Sequence, residues 1–283
     1  MIPQQLMLTP EHLLKIGRHG LKFEAGMAVA DFVSACRRIN LAAQLAWHDV
    51  LARYRGSVLG PFWITLSMGA MVMGIGVLYA RLFKFDLADF LPFVAVSIVL
   101  WGTISSVINE GCDVFVSAGG ILRQTALPMF IFPMRLMIRA MINLGHNLII
   151  IVSVLLWYHQ TSLGGALLSL AGLLIVLINI AWVATLAGII SARFRDVPQI
   201  IAAVMQFSMF MTPVFWKPDQ VGHRHMLLEL NPFYYMFDAV RGPLLSEPMN
   251  AKTWPLLAVM ALLGWMLTFA VFTGTRRRIV HYL

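Results

Sequence analysis

The longest stretch of this sequence without Asp, Glu, Lys or Arg runs from Ala140 to Ala192 and covers 53 residues. A helix needs about 20 apolar residues to cross the roughly 30 Å of hydrocarbon in a bilayer. The stretch is therefore too long for one membrane span and suits two, separated at the polar, Gly-rich sequence 159–165. Only 12% of the 283 residues are charged, against roughly 25% in soluble domains. The chain is thus predicted to be a helical membrane protein.

Four further windows bounded by charged residues are each long enough for one span. The helix that contains the start of the long stretch is predicted to begin near Phe130, so that Arg135 and Arg139 lie in its first turns. We therefore predict an all-α membrane protein with six transmembrane helices, at residues 61–81, 90–109, 130–157, 164–191, 198–216 and 254–274.

An even number of spans places both chain ends on the same side of the membrane, and the distribution of Lys and Arg selects that side. Thirteen of these residues lie in the N-terminal region, the tail and the loops of one side, and six lie on the other side. Because basic residues accumulate on the cytoplasmic side, both termini are predicted to be cytoplasmic. The same distribution accounts for the formal net charge of +8 without a nucleic-acid partner.

The N-terminal region differs from the spans. Residues 1–30 carry several charges and no long apolar core, so they are predicted to be a cytoplasmic extension rather than a cleavable signal peptide. Within residues 31–54, apolar residues recur at spacings of three and four from Phe32 to Ile39. This pattern predicts a helix in the cytoplasmic interface of the membrane, with Trp47 at headgroup level. Packing of this helix on other protein is the alternative.

A motif at the predicted start of the first span combines a basic cluster, a bend that contains Gly and Pro, and an aromatic residue. Three further motifs follow at 121–128, 193–197 and 231–233. Together with six spans, the four motifs resemble type-2 ABC exporter permeases of the polysaccharide and polyol-phosphate class over residues 31–275. The residues of the first motif, called the first-span motif below, are Arg53, Tyr54, Arg55, Ser57, Leu59, Gly60 and Trp63.

The resemblance implies the transmembrane subunit of an ATP-driven exporter that moves a lipid-linked polysaccharide, such as an O-antigen, capsular or teichoic-type polymer, across the bacterial cytoplasmic membrane. Residues 31–283 would form the permease domain, and two copies would pair as a homodimer around a channel. The sequence contains no GxxxxGK[ST] phosphate-binding loop. It is therefore predicted to be neither an enzyme nor a cofactor-binding chain. Two copies of a separate ABC ATPase subunit would bind ATP and Mg²⁺.

The resemblance also gives a role to the loop between the second and third spans. This loop is expected to form a short coupling helix on the cytoplasmic side that contacts the ATPase. The residues assigned to it are Glu110, Asp113, Arg123, Thr125 and Pro128.

Two basic groups on the cytoplasmic side have two interpretations each. Arg135 and Arg139 lie four residues apart on one helical face. They either extend to the lipid headgroups or contact the pyrophosphate of a lipid-linked glycan. The turn that contains Arg193, Arg195 and Asp196 either anchors and caps the fifth span or takes part in gating.

The segment from Lys217 to Thr253 is too apolar and too rich in Pro for a free outer loop. It is predicted to re-enter the membrane between spans five and six, where the resemblance implies short helices that line the outer end of the channel. His223 and His225 have no evident third ligand, so no metal site is predicted. Four aromatic residues could stack on sugar rings or form an interfacial belt: Phe233, Tyr234, Tyr235 and Phe237.

Three alternative functions would require other features. An ABC exporter of drugs or small lipids would share the architecture, and the first-span motif favours the polymer class over it. A secondary transporter driven by an ion gradient would carry Asp or Glu inside its spans, and the six apolar windows contain none. A membrane-embedded enzyme would need converging acids, histidines or a metal motif, for which His146 is the one central residue.

Overall fold

The computed structural model describes residues 21–57, 60, 62–158, 162–218 and 228–282. Within these residues the secondary structure is helical and contains no strand, which confirms the predicted all-α class. We number the helices of this part of the chain α1 (Leu21–Arg37), α2 (Ile39–Arg53), α3 (Phe62–Phe83), α4 (Leu87–Cys112), α5 (Gly119–Gln124), α6 (Ile131–Tyr158), α7 (Leu163–Arg193), α8 (Val197–Met211), α9 (Pro232–Leu245) and α10 (Thr253–Tyr282).

Five described helices are long and apolar enough to cross a membrane: α3, α4, α6, α7 and the first 24 residues of α10. They correspond to predicted spans one to four and six, with ends that differ by at most three residues. The predicted fifth span, 198–216, is shorter than expected, because α8 has 15 residues and ends at Met211. Thr212 precedes Pro213 and is extended, with ψ 140°, as the residue before proline usually is. At 1.5 Å per residue, α8 is about 22 Å long.

Residues 84–86 and 194–196 are short connections, Gly188 near the end of α7 faces Gly111 near the end of α4, and the Phe272 ring of α10 packs on the Phe130 ring. The helices α4, α7 and α10 therefore end, and α6 and α8 begin, at the end of the bundle that carries residues 113–130. We call this the loop end and the opposite one the far end.

Helix α4 lies at the centre of the bundle. Every residue from Phe90 to Trp101 is buried, and α4 contacts α3, α6, α7, α8 and α9. Small residues allow close approach to α7: Gly111 faces the backbone of Ala184, and Gly188 faces the carbonyl oxygen of Gly111. Such close packing is a main source of helix association in lipid, where the hydrophobic effect contributes little.

Helix α9 packs against α7, α10 and α4, and its residues 235–242 are all buried. Two glycines of α7 make room for it. A Cβ atom on Gly165 would clash with the carbonyl oxygen of Pro243, and one on Gly172 with that of Ala239. Gly165 and Gly172 are the third and tenth residues of α7, so α9 lies along α7 from about 3 Å to about 14 Å from the start of that helix.

The N-terminal region forms two helices, whereas a single helix was predicted for residues 31–54. Because α1 begins at Leu21, the domain boundary predicted between residues 30 and 31 lies inside it. The two helices are separated at Arg38, with φ −104° and ψ 26°. On the outward side Trp47 is 51% exposed. On the inward side, toward α10 and α6, the buried small residues are Ala28, Ala35, Ala42 and Ala46.

Candidate functional site

Five charged side chains from three helices meet at the loop end. The Asp49 carboxylate accepts two hydrogen bonds from Arg135, one of them from Nε at 2.7 Å, and another from Arg139 Nη1 at 3.0 Å. Arg139 Nη2 also donates to Glu110 Oε2 at 2.5 Å. Arg53 Nη2 lies 3.8 Å from Glu110 Oε1. We call these five residues the charged cluster.

The charged cluster depends on packing between distant parts of the chain. Arg135 and Arg139 share one face of α6 because they are four residues apart, and α2 packs along α6. Asp49 and Arg135 are 86 residues apart in the sequence. Both guanidinium groups are engaged by carboxylates of the chain. Their contact with lipid headgroups and their contact with a pyrophosphate both stay predictions.

The two arginines of α6 hold the pKa of the Asp49 carboxyl below its usual value. Burial alone would raise this pKa, since it disfavours the charged form. The hydrogen bonds and positive charges of Arg135 and Arg139 outweigh the effect of burial. Asp49 is therefore ionised at neutral pH.

A cavity of about 310 Å³ adjoins the charged cluster. Its wall includes Arg53 of the first-span motif, Glu110 and Asp113 of the predicted coupling loop, and both Arg135 and Arg139. The structure thus brings together residues that the sequence assigned to three separate features.

The charge around this cavity is nearly balanced. Three arginines face Glu110 and Asp113 in its wall and Asp49 in the charged cluster. Guanidinium groups bind carboxylates and phosphates with the same paired hydrogen bonds. An oxyanion that entered the cavity would therefore compete with Asp49 and Glu110 for the same nitrogen atoms.

The predicted coupling loop contains the short helix α5. Leu122 points inward and is buried, whereas Val116 and Ile121 are 50% and 37% exposed. Arg123 and Thr125 are exposed as well. The loop therefore presents a small surface that combines apolar and basic side chains.

The other residues assigned to the coupling loop have different positions. Glu110 lies in the last turn of α4 and pairs with Arg139, so it belongs to the charged cluster. Asp113 is the exposed C-cap residue of α4 and faces the cavity. Pro128 is buried.

The first-span motif forms the turn between α2 and α3. Gly56 and Gly60 have φ values of +83° and +54°, in the left-handed region that glycine adopts without steric cost. The Gly60 amide donates a hydrogen bond to Ser57 Oγ at 3.2 Å. The backbone geometry of this turn therefore accounts for the two glycines and for Ser57.

The remaining residues of the first-span motif divide between interior and surface. Arg53 ends α2 and reaches the cavity. Tyr54 is the C-cap residue of α2 and is half-buried, while Arg55 and Trp63 are exposed. Leu59 lies outside the described residues.

The turn between α7 and α8 also lies at the loop end. Arg193 ends α7, with its guanidinium carbon 5.1 Å from the centroid of the Phe194 ring. Asp196 occupies the predicted N-cap position of α8, but within the described chain its side chain makes no capping hydrogen bond. Arg193, Arg195 and Asp196 are all exposed. They are not among the residues that form the wall of the charged cavity.

Comparison with known proteins identifies the family. Residues 41–245, more than half of the chain, match the family described as ABC-2 type transporter. The chain belongs to the ABC-2 type transporter family. It is also similar to the O-antigen export system permease protein RfbA of Myxococcus xanthus, at 22% identity over 228 residues, which cover 78% of this chain and 86% of that protein. This ABC-2 chain is thus a multi-pass membrane permease, as its sequence motifs predicted.

In α9 of this ABC-2 chain, two of the four aromatics that were candidates for a glycan contact or an interfacial belt are core residues. Tyr235 and Phe237 are 2% and 0% exposed, so within the described chain neither ring has surface for a sugar or for an interfacial belt. Phe233 and Tyr234 are half-buried. The Phe233 ring packs edge-on against Trp101, with centroids 5.4 Å apart.

Sequence reasoning missed a buried arginine in α9. Arg241 is 3% exposed, and its guanidinium carbon lies 4.0 Å from the centroid of the Phe93 ring. Its Nη1 donates to Ser97 Oγ at 3.1 Å and to the Pro213 carbonyl oxygen at 2.9 Å. Its Nε lies 3.5 Å from Glu247 Oε2. Arg241 therefore joins α9 to α4 and to the segment after α8.

Asp238 of the same helix makes a second connection. It is 8% exposed and accepts hydrogen bonds from the Asn250 amide, at 3.0 Å, and from the Thr253 hydroxyl at the start of α10. The sequence did contain a signal for these two buried residues: an acid, Asp238, and a base, Arg241, lie three residues apart inside an apolar segment, on one face of a helix.

In the part of the chain that the structure describes, no group of three His, Cys, Asp or Glu side chains is arranged to bind a metal ion. His223 and His225 lie outside the described residues, so their assignment to a solvated loop stays a prediction.

Proposed function

We propose that this chain is the transmembrane subunit of an ABC exporter that moves a lipid-linked polysaccharide of the O-antigen type. The observation that carries the proposal is the similarity to an O-antigen export permease over 78% of the chain. The family match, the five membrane-length helices and the charged cavity are consistent with this function. The sequence has no phosphate-binding loop for ATP. In this proposal two separate ABC ATPase subunits therefore bind and hydrolyse the ATP.

The exposed surface of α5 is the proposed contact for the ATPase. Val116 and Ile121 supply apolar area, and Arg123 supplies a charge beside it. An apolar centre with a charged rim is typical of protein interfaces. The exposed turn with Arg193, Arg195 and Asp196 lies at the same end of the bundle and is proposed to anchor the chain at the cytoplasmic surface.

The charged cavity is the proposed binding place for the diphosphate of the lipid carrier. Arg53, Arg135 and Arg139 supply the guanidinium groups, which Asp49 and Glu110 neutralise in the absence of substrate. A diphosphate would replace these carboxylates, because phosphate oxygens accept the same paired hydrogen bonds. Release of Asp49 would weaken the attachment of α2 to α6, so substrate arrival would loosen the interfacial helix.

The helices with large exposed apolar faces support a homodimer. Met205 is the one residue of α8 buried within the described chain, and 11% of the span window of α3 is buried. We propose that α8 is the sixth membrane helix and that α3 and α8 face a second copy across a two-fold axis. Helix α9, with its contacts from about 3 Å to about 14 Å along α7, is the proposed re-entrant element. Both termini would lie in the cytoplasm of a bacterium.

Co-purification with the ABC ATPase encoded nearest to this gene tests the complex. We expect two copies of each chain and ATP hydrolysis by the complex. In vesicles that contain lipid-linked O-antigen, we expect ATP-dependent movement of the polymer. A chain that purifies without any ATPase would contradict the proposal, and movement of small lipids without the polymer would assign the chain to the drug and lipid exporters.

Charge reversal at Arg123 tests the contact surface. Arg123→Glu changes an exposed side chain of α5, and we expect it to weaken ATPase binding about tenfold or more. Arg81→Glu is the matched control, because Arg81 is exposed at the far end and should leave binding unchanged. Glu110 is a poor probe of this surface, since its reversal would also break the charged cluster.

A further inference from the structure

Asp31 of α1 is an acidic residue that the proposed function leaves without a role. Its side chain is 3% exposed. Its Oδ1 accepts a hydrogen bond from the Met129 amide and its Oδ2 accepts one from the Phe130 amide, each at 3.1 Å. These two amides belong to the turn that leads into α6, in which the Ile131 and Phe132 amides donate to the Pro128 and Met129 carbonyl oxygens, each at 3.2 Å. Asp31 thus caps the start of α6 from a position 98 residues before Met129.

The start of a helix needs such an acceptor because its first backbone N–H groups have no carbonyl partner within the helix. In most helices a Ser, Thr, Asp or Asn just before the first turn supplies it. Here Pro128, Met129 and Phe130 occupy these positions, and none of them has a side-chain oxygen. The Asp31 carboxylate supplies the acceptor instead, and its charge interacts favourably with the helix dipole.

Asp31 and its neighbour also connect this point to α10. Arg276 Nη2 lies 3.4 Å from Asp31 Oδ1. The Phe32 ring packs edge-on against Phe130 and Phe269, at centroid distances of 5.3 and 5.6 Å. Helix α1, the end of the loop and α10 therefore meet at one buried point.

This arrangement has a consequence for movement of the loop 113–130. One end of the loop continues from α4 at Asp113, and the other end is held by α1 through Asp31. A displacement of α5 therefore acts on α1 through two hydrogen bonds as well as on α6 through the chain. We propose that Asp31 is a positioning residue that transmits movement of the loop to the N-terminal helix α1. This proposal rests on the proposed role of the loop as the ATPase contact.

Hydrogen-exchange mass spectrometry on the whole complex tests the transmission. The complex of this chain with its ATPase is compared without nucleotide and after trapping with ADP and vanadate. In the wild-type complex, trapping is expected to change amide exchange in both the loop 113–130 and α1. In the Asp31→Ala complex, the loop should keep its response, whereas α1 should lose it. Without nucleotide, exchange of the Met129 and Phe130 amides should be roughly threefold to thirtyfold faster in this variant.

Two variants separate transmission from general damage. Asp86→Ala is the matched control, because Asp86 caps α4 at the far end by accepting a hydrogen bond from the Ala88 amide at 3.1 Å. It should leave the response of α1 intact. Arg276→Gln removes the ion pair but keeps both capping hydrogen bonds of Asp31, and should also keep the response.

If Asp31→Ala does not assemble, Asp31→Asn serves as the second variant, since it keeps the shape but has one acceptor oxygen instead of two. Its α1 response should be reduced. A full α1 response in the folded Asp31 variant would overturn the proposal and leave the proposed function standing. A loop that does not respond to nucleotide in the wild-type complex would contradict the proposed function, and this proposal with it.

Discussion

Replacing Asp49 with Asn removes the one carboxylate that pairs with both α6 arginines and keeps the shape of the side chain. Asp49 accepts three charge-assisted hydrogen bonds, two from Arg135 and one from Arg139. Breaking a buried pair costs about 3–5 kcal/mol, whereas an exposed pair contributes about 0–1 kcal/mol. The three side chains are 17%, 26% and 21% exposed. We therefore expect an intermediate loss of about 2–3 kcal/mol in the free energy of unfolding.

The same substitution should strengthen binding of phosphate anions. In the wild-type chain, Arg135 and Arg139 must release the Asp49 carboxylate before they bind another anion. In Asp49→Asn the Arg135 guanidinium loses its carboxylate partner, whereas Arg139 keeps its pair with Glu110. Inorganic pyrophosphate should therefore stabilise the variant more than the wild type, and a tenfold tighter complex would add about 1.4 kcal/mol at saturating concentrations.

Unfolding of the purified chain in detergent, with and without pyrophosphate, measures both effects. Asp113→Asn is the matched control, because Asp113 faces the same cavity but is exposed. We expect its stability to change by less than about 0.5 kcal/mol. An Asp49→Asn chain as stable as the wild type would refute the stabilising role of the cluster. Equal stabilisation of both chains by pyrophosphate would refute competition between phosphate and carboxylate.

Three further predictions concern other groups. Because folding lowers the pKa of Asp49, its stabilising effect is complete above its unfolded pKa of about 4 and is lost as pH falls through the folded pKa. The difference in unfolding free energy between wild type and Asp49→Asn, measured against pH, should therefore shrink only below about pH 4. Gly172→Ala places a Cβ against the Ala239 carbonyl and should cost about 1–3 kcal/mol in unfolding experiments, whereas Gly164→Ala, at an open position, should not destabilise the chain. Arg241→Met leaves Glu247 and two further acceptors without their partner. It should lower the free energy of unfolding by about 3 kcal/mol and speed proteolysis near α9. Lys252→Met, at a side chain that is 65% exposed, should lower it by less than about 1 kcal/mol.

The membrane helices could be predicted because their cause is local. The length of an uncharged apolar window is read directly along the chain, and five predicted spans agree with described helices to within three residues. The end of α8 shows where hydropathy alone fails. The apolar window continues to Trp216, but the steric restriction that Pro213 places on Thr212 ends the helix at Met211.

The candidate site could be predicted in part. The sequence named Arg53, Glu110, Arg135 and Arg139 as candidate functional residues, and the structure places them around one cavity. It did not identify Asp49, which holds both α6 arginines, because an acid near a basic motif has many possible partners. It left Tyr235 and Phe237 as either glycan-stacking or interfacial residues, whereas both are buried. An aromatic residue that faces a channel and one that faces the core have the same sequence signal.

The sequence by itself determined the helical class, the membrane environment and the family, because these depend on composition, window length and short motifs. The tertiary structure alone decided which charges are paired and which are enclosed. Asp49 meets Arg135 across 86 residues, Asp31 caps α6 across 98, and Arg241 is enclosed by residues of α4 and the segment after α8. The physical reason is that a charge enters the interior only where packing supplies its partner, and for Asp31 and Asp49 that partner lies on a segment far away in the sequence.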